Sequence, residues 1–114
     1  TNWGRLSIVR SGGCGCAWFD GPNDPGLCEA FLRNPRGGAV VFVGFSRTAY
    51  KTTGQLNQDG YYQELFKERG ITVGEAFTRM KASRASASHK NRWTHYIYTL
   101  LGDPAIAPLW PRRR

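Results

Sequence analysis

The sequence predicts an α/β fold in which a mainly parallel sheet is covered by helices on both faces. Three observations carry this expectation. Strand-like and helix-like segments alternate along the chain, which is the pattern of βαβ units and a parallel layer. The two clearest strand segments, around Leu6, Ile8 and Val9 and from Ala39 to Gly44, are apolar on both faces, as strands covered from both sides are. Two such strands are also too few for a stable doubly covered sheet, so further strands are expected from another segment or chain.

Taken in order, Leu6, Ile8 and Val9 run into Ser11-Gly12-Gly13, a strand entering a glycine-rich loop, with Cys14 just past the strand's end. Asp24-Pro25 reads as an N-cap followed by proline at the first helical position. The helix it opens is expected to bury Leu27, Cys28, Phe31 and Leu32 and to stop at Asn34-Pro35. Ala39 to Gly44 is the second strand. A polar loop is expected from Arg47 to Asn57, then a helix marked by Tyr61, Tyr62, Leu65 and Phe66 and closed by Gly70. Thr72-Val73-Gly74-Glu75 has the form of a capping box. Val73, Ala76, Phe77 and Met80 follow it at helical spacing on one stripe. Ala82 to Asn91 is small and polar and reads as a loop. Tyr96, Ile97, Tyr98, Leu100 and Leu101 lead into a structural turn at Gly102-Asp103-Pro104, with Ile106, Leu109 and Trp110 beyond.

Composition narrows the function classes. The 114 residues suit one domain or less, and we read residues 1–114 as a single unit. Apolar residues make up 40% and aromatics 13%, enough for a core. No stretch approaches the ~20 apolar residues of a membrane helix. The 16 Lys and Arg against 8 Asp and Glu give a net charge of +8. Apart from Arg112, Arg113 and Arg114 these cations are scattered, and no nucleic-acid-binding motif accompanies them, so a basic nucleic-acid-binding domain is the weakest reading. The three cysteines, Cys14, Cys16 and Cys28, make a complete disulfide framework impossible, and their spacing to His89 and His95 is not that of a zinc site. No metal or other cofactor is expected. Residue 1 is Thr and Met80 is the only methionine, from which we expect a piece of a longer chain.

The run Gly13-Cys14-Gly15-Cys16-Ala17-Trp18-Phe19-Asp20 resembles the catalytic-cysteine segment of gingipain-type cysteine peptidases, a caspase-like family. Leu27-Cys28-Glu29-Ala30-Phe31-Leu32 is similar to that family's next helix. Gly37-Gly38-Ala39-Val40 and Val43-Gly44-Phe45-Ser46-Arg47 resemble its next strand and loop. Val73-Gly74-Glu75-Ala76 and Leu101-Gly102-Asp103-Pro104-Ala105 also match family blocks, in the same order. The neighbouring CHAT-type domains share the layout. They usually carry Ala-Cys-Glu-Thr-Gly at the cysteine and Leu-Trp after the second strand, where this chain has Gly-Cys-Gly-Cys and Phe45-Ser46-Arg47.

The resemblance implies a caspase-like three-layer α/β/α domain, with this chain its C-terminal, cysteine-bearing half, inactive alone. It implies peptide-bond hydrolysis by a Cys/His dyad acting on a peptide or protein. Cys14 is the nucleophile in this reading, with Cys16, two residues on, as the alternative. Cys28 lies on the apolar stripe of a helix and belongs to the core. The backbone N–H of Cys14 is a candidate oxyanion donor, at the carboxyl end of a parallel strand where α/β sheets place their sites. In the family a His followed by Gly precedes the cysteine. No His precedes Cys14 here, and His89 and His95 read as structural or solvated. The base is therefore expected from an N-terminal half or large-subunit partner. Ser46, Arg47 and Tyr50 fall on the loop that forms part of the family's primary specificity pocket, the bland alternative being a solvated loop. An acidic residue selecting Lys or Arg is expected in the other half. The resemblance also suggests secretion, and processing after Arg112-Arg113-Arg114. The competing function is a non-catalytic caspase-like scaffold or regulatory module.

Overall fold

The computed structural model describes residue 2 and residues 4–109. Thr1, Trp3, Trp110 and the Arg112-Arg113-Arg114 cluster lie outside the described residues, and so do the expectations attached to them. The elements run β1 (Ser7–Arg10), α1 (Leu27–Leu32), β2 (Ala39–Phe45), α2 (Lys51–Leu65), α3 (Val73–Arg84), α4 (His89–Ile97) and β3 (Tyr98–Gly102).

Among the described residues the sheet has three strands in the order β1-β2-β3. β2 pairs in parallel with β1, Phe42 opposite Val9, and antiparallel with β3, Phe42 opposite Leu101. The run Ala39–Phe45 is apolar at successive positions because both faces are covered. Val41, Val43 and Phe45 pack with Tyr61 and Leu65 of α2, Val73, Ala76 and Met80 of α3, and Ile97 and Tyr98. Phe42, on the opposite face, packs with Cys28 of α1 and with Cys16 and Ala17. The result is a three-layer α/β/α arrangement with a mixed local sheet. No described helix is long and apolar enough to cross a membrane.

The capping box forms as expected: Thr72 Oγ1 accepts from Glu75 N at 3.1 Å, and Glu75 Oε2 accepts from Thr72 N at 3.0 Å. Expectations for four elements, α1, α2, α4 and β3, are corrected. α1 starts at Leu27 with Gly26 as its N-cap, and Glu29 Oε2 accepts from Gly26 N at 2.9 Å. Within α1 Cys28 is fully buried and Leu32 packs against the small core, but Leu27 and Phe31 are exposed. α2 begins at Lys51, inside the expected loop, and Gly70 lies beyond its end at Leu65, in the turn that follows.

The reason for the missed start of α2 is packing. Gly54 and Gly60 are poor helix formers, yet a side-chain carbon at 54 would stand 3.3 Å from the Phe45 ring, and one at 60 would stand 3.1 Å from Met80 Cγ. Close approach of α2 to β2 and α3 therefore selects glycine where propensity argues against helix.

α4 and β3 are the other two corrections. Ser88 Oγ accepts from Asn91 N at 3.1 Å, starting a helix whose buried residues, Asn91, Thr94 and Ile97, are mostly polar and give no apolar stripe. Tyr98–Gly102 then joins the sheet as an antiparallel edge strand.

Candidate active site

The loop after β1 continues alongside the carboxyl end of β2. Ser11 N donates to Val43 O at 2.9 Å, Ala17 N to Phe45 O at 3.0 Å, and Gly15 N to Arg47 O at 3.2 Å. These bonds hold the segment 11–17 in a tight turn, and Gly15, at φ +68°, occupies a conformation that side chains resist. Cys14 stands at the outside of that turn, between Gly13 and Gly15.

The three thiols are sorted sharply by burial. Cys14 is exposed, whereas Cys16 and Cys28 are buried. Cys16 Sγ faces inward, 3.7 Å from Ser11 O and 4.0 Å from Phe45 O. Burial pushes the Cys28 thiol up from its ordinary range, which keeps it protonated. Cys14 Sγ is 3.5 Å from Ala49 N, which donates to it, and 3.9 Å from Ala49 O. Gly13 N donates to Ser11 Oγ and Cys16 N to Gly13 O, while no acceptor among the described residues takes the Cys14 N–H.

Cys14 lies between two clefts. One, of about 220 Å³, is walled by Phe45, Ala49, Tyr50 and Lys51 with Gly54, Gln55 and Gln58 of α2. The other, of about 360 Å³, runs past Cys16 and Trp18 to Pro22, Asn23 and Leu27.

The remaining sequence candidates are placed as follows. Tyr50, half-exposed, lines the cleft beside Cys14, with the Lys90 ammonium 5.5 Å from its ring centre. Ser46 is buried, its Oγ donating to Ile97 O at 3.2 Å. The Arg47 guanidinium forms a fork on Asp20, with Nη1–Oδ1 at 2.9 Å and Nη2–Oδ2 at 2.7 Å. That hydrogen-bonded pairing holds the Asp20 carboxyl below its usual range. Asp24, by contrast, meets Arg33 across 3.4 Å on the exposed side of α1.

His89 is exposed at the start of α4. His95 Nε2 is 3.0 Å from Lys81 O. Neither histidine lines either cleft at Cys14. No group of three or more His, Cys, Asp or Glu that could hold a metal ion occurs among the described residues.

Residue-type reasoning did not find Ala49, whose contribution is a backbone N–H, nor Gln58 beneath Gly12. A side-chain carbon at Gly12 would meet Gln58 Nε2 at 3.0 Å, so the glycine-rich run was the available signal.

A parallel strand delivers an exposed, N–H-contacted thiol into a cleft at its carboxyl end, the end where open α/β sheets place their sites. The family model for peptidase family C25 matches residues 1–109, and the chain belongs to that family of gingipain-type cysteine peptidases. The crystal structure of the Arg-specific cysteine proteinase gingipain R superposes with a TM-score of 0.80 over 94% of this chain, at 19% identity. This chain spans 27% of the gingipain R chain. Comparison with curated protein sequences gives no match.

Proposed function

We propose that this chain is the nucleophile-bearing, C-terminal half of the catalytic domain of a cysteine endopeptidase of gingipain-like type. The observation that carries the reading is the exposure of Cys14, alone among the three thiols, at the carboxyl end of β1 between two clefts. The Cys14 thiol gives its proton to a histidine, and the sulfur adds to the scissile carbonyl carbon. The Cys14 N–H, without an acceptor among the described residues, meets the oxyanion. The histidine then protonates the departing amine, and water hydrolyses the thioester. Because neither described histidine faces the clefts, the base comes from an N-terminal half or large subunit outside this sequence. Ser46 and Arg47 support the loop around the cleft and Tyr50 forms its wall. Secretion belongs to the same reading, on likeness to the family.

One observation favours a second reading, a non-catalytic module: the absence of a histidine from either Cys14 cleft among the described residues. Hydrolysis of labelled casein by the full-length protein separates the two. The peptidase reading expects activity that Cys14→Ala abolishes and Cys16→Ala retains. Activity lost with Cys16 and retained without Cys14 contradicts the assignment, and inactivity of the parent protein favours the module.

A further inference from the structure

The loop that carries Cys14 has little stiffness of its own, since Gly12, Gly13 and Gly15 surround the cysteine. Something else must fix where the sulfur stands. The strand-side bonds from Ser11, Gly15 and Ala17 hold the first half of the loop. The second half, through Trp18 to Asp20, turns back on the first through Trp18 N donating to Gly15 O at 3.1 Å, and Arg47 is the side chain that ties it to the end of β2. Arg47 reaches back from the end of β2 and grips Asp20 with both terminal nitrogens, at 2.9 and 2.7 Å. Its Nη1 also donates to Ser46 O at 2.8 Å, which fixes the root of the side chain. Its guanidinium carbon stands 5.2 Å from the centre of the Trp18 ring, within cation–π range. The backbone carbonyl of the same residue accepts from Gly15 N at 3.2 Å. Arg47 therefore holds both the residue next to the cysteine and the far end of its loop.

We infer that Arg47 is a positioning residue: its fork on Asp20 latches the 15–20 segment to β2 and sets the place of Cys14 and of the Trp18 wall in the adjoining cleft. This inference rests on Cys14 being the nucleophile, and it gives Arg47 a role that does not require contact with substrate. Three features support it over substrate binding. Both terminal nitrogens are already engaged within the protein. One face of the guanidinium is turned to Trp18. Arg47 also lines neither of the clefts that Cys14 borders, whereas Trp18 lines one of them. The planar fork matters because lysine keeps the charge but cannot match two carboxylate oxygens at once.

The test uses the full-length protein and a benzyloxycarbonyl-dipeptidyl acyloxymethyl ketone. The Cys14 thiolate displaces the acyloxy group, forming a thioether and releasing a carboxylate. The saturation rate of inactivation reports alignment of sulfur and carbon, the half-saturating concentration reports binding, and iodoacetamide alkylation of Cys14 reports the sulfur alone. Asp20→Asn and Arg47→Lys are expected to lower the saturation rate roughly 10- to 100-fold, the range for slight misplacement of a reacting group. Half-saturation and iodoacetamide rates stay within about twofold of the parent on the same argument. Asp20 is half-exposed, so Asp20→Asn keeps the test valid even where an Arg47 variant folds poorly. A raised half-saturation with unchanged saturation rate makes Arg47 a substrate contact and overturns the inference. Unchanged kinetics in both variants also overturn it while leaving the peptidase reading intact. Failure of the parent protein to label at Cys14 overturns the peptidase reading, and the inference falls with it.

Discussion

The backbone N–H of Ala49 is directed at Cys14 Sγ across 3.5 Å, joining the loop before α2 to the loop after β1. A donor in that position helps to fix where the sulfur stands. Ala49→Pro removes that donor and puts a proline ring in place of the Ala49 methyl in the cleft wall. The expected result is inactivation by a peptidyl acyloxymethyl ketone with a saturation rate lowered roughly tenfold, the effect of letting a reacting atom move from its place. An unchanged rate means that the Ala49 N–H does not position the sulfur.

The sorting of the thiols predicts a modification pattern. Brief treatment of the native protein with iodoacetamide is expected to modify Cys14 and spare Cys16 and Cys28, which are 8% and 0% exposed. Denaturation first exposes all three. Peptide mapping by mass spectrometry reads the outcome directly, and early modification of Cys16 contradicts the geometry.

Gly44 shows how tightly the loop that carries Cys14 sits on the sheet. A side-chain carbon there would stand 2.5 Å from Cys16 Sγ and 3.3 Å from Ala17 Cβ. Gly44→Ala is expected to destabilise the domain by roughly 1–3 kcal/mol, the usual range for overpacking. Adding Cys16→Ala removes the sulfur and is expected to recover a substantial part of that loss. Urea denaturation of the single and double variants measures the coupling, and simple additivity of the two losses excludes the sulfur as the obstacle.

Lys81 predicts a pH dependence. Its ammonium donates to Tyr98 O at 2.7 Å and to His95 O, linking α3 to the end of α4. Burial lowers its pKa from 10.5 to about 8. Between those values the unfolded chain holds a proton that the folded one has released, so stability from this group rises with pH across the window. Below pH 8 both states are charged and the cost of burying the charge is present in full. Stability of the parent relative to Lys81→Met is therefore expected to increase from pH 7 to pH 10 in urea denaturation. A difference that stays flat with pH contradicts the burial argument.

What could be read from the sequence depended on how each segment makes its contacts. β2 was legible because every position from Ala39 to Phe45 is apolar, and α3 because Thr72 and Glu75 cap an unbroken stripe. α2 was half-hidden because its contacts to Phe45 and Met80 are made through glycines. α4 was hidden because it buries Asn91 and Thr94 rather than an apolar face, Thr94 Oγ1 meeting Thr53 Oγ1 at 2.6 Å. Around the candidate site, the placement of Cys14 in a turn just past β1 was legible from its glycine-rich surroundings. The Arg47–Asp20 fork was not, since 26 intervening residues and a strand crossing separate the partners and only the fold brings them together.

The most direct measurement of the central claim is the site of covalent attachment of a peptidyl acyloxymethyl ketone on the full-length protein, mapped by tandem mass spectrometry. A thioether on Cys14 is expected, one that forms in the native protein, is lost in Cys14→Ala, and is prevented by prior denaturation. Attachment to Cys16, or labelling of Cys14 that denaturation leaves just as fast, contradicts it.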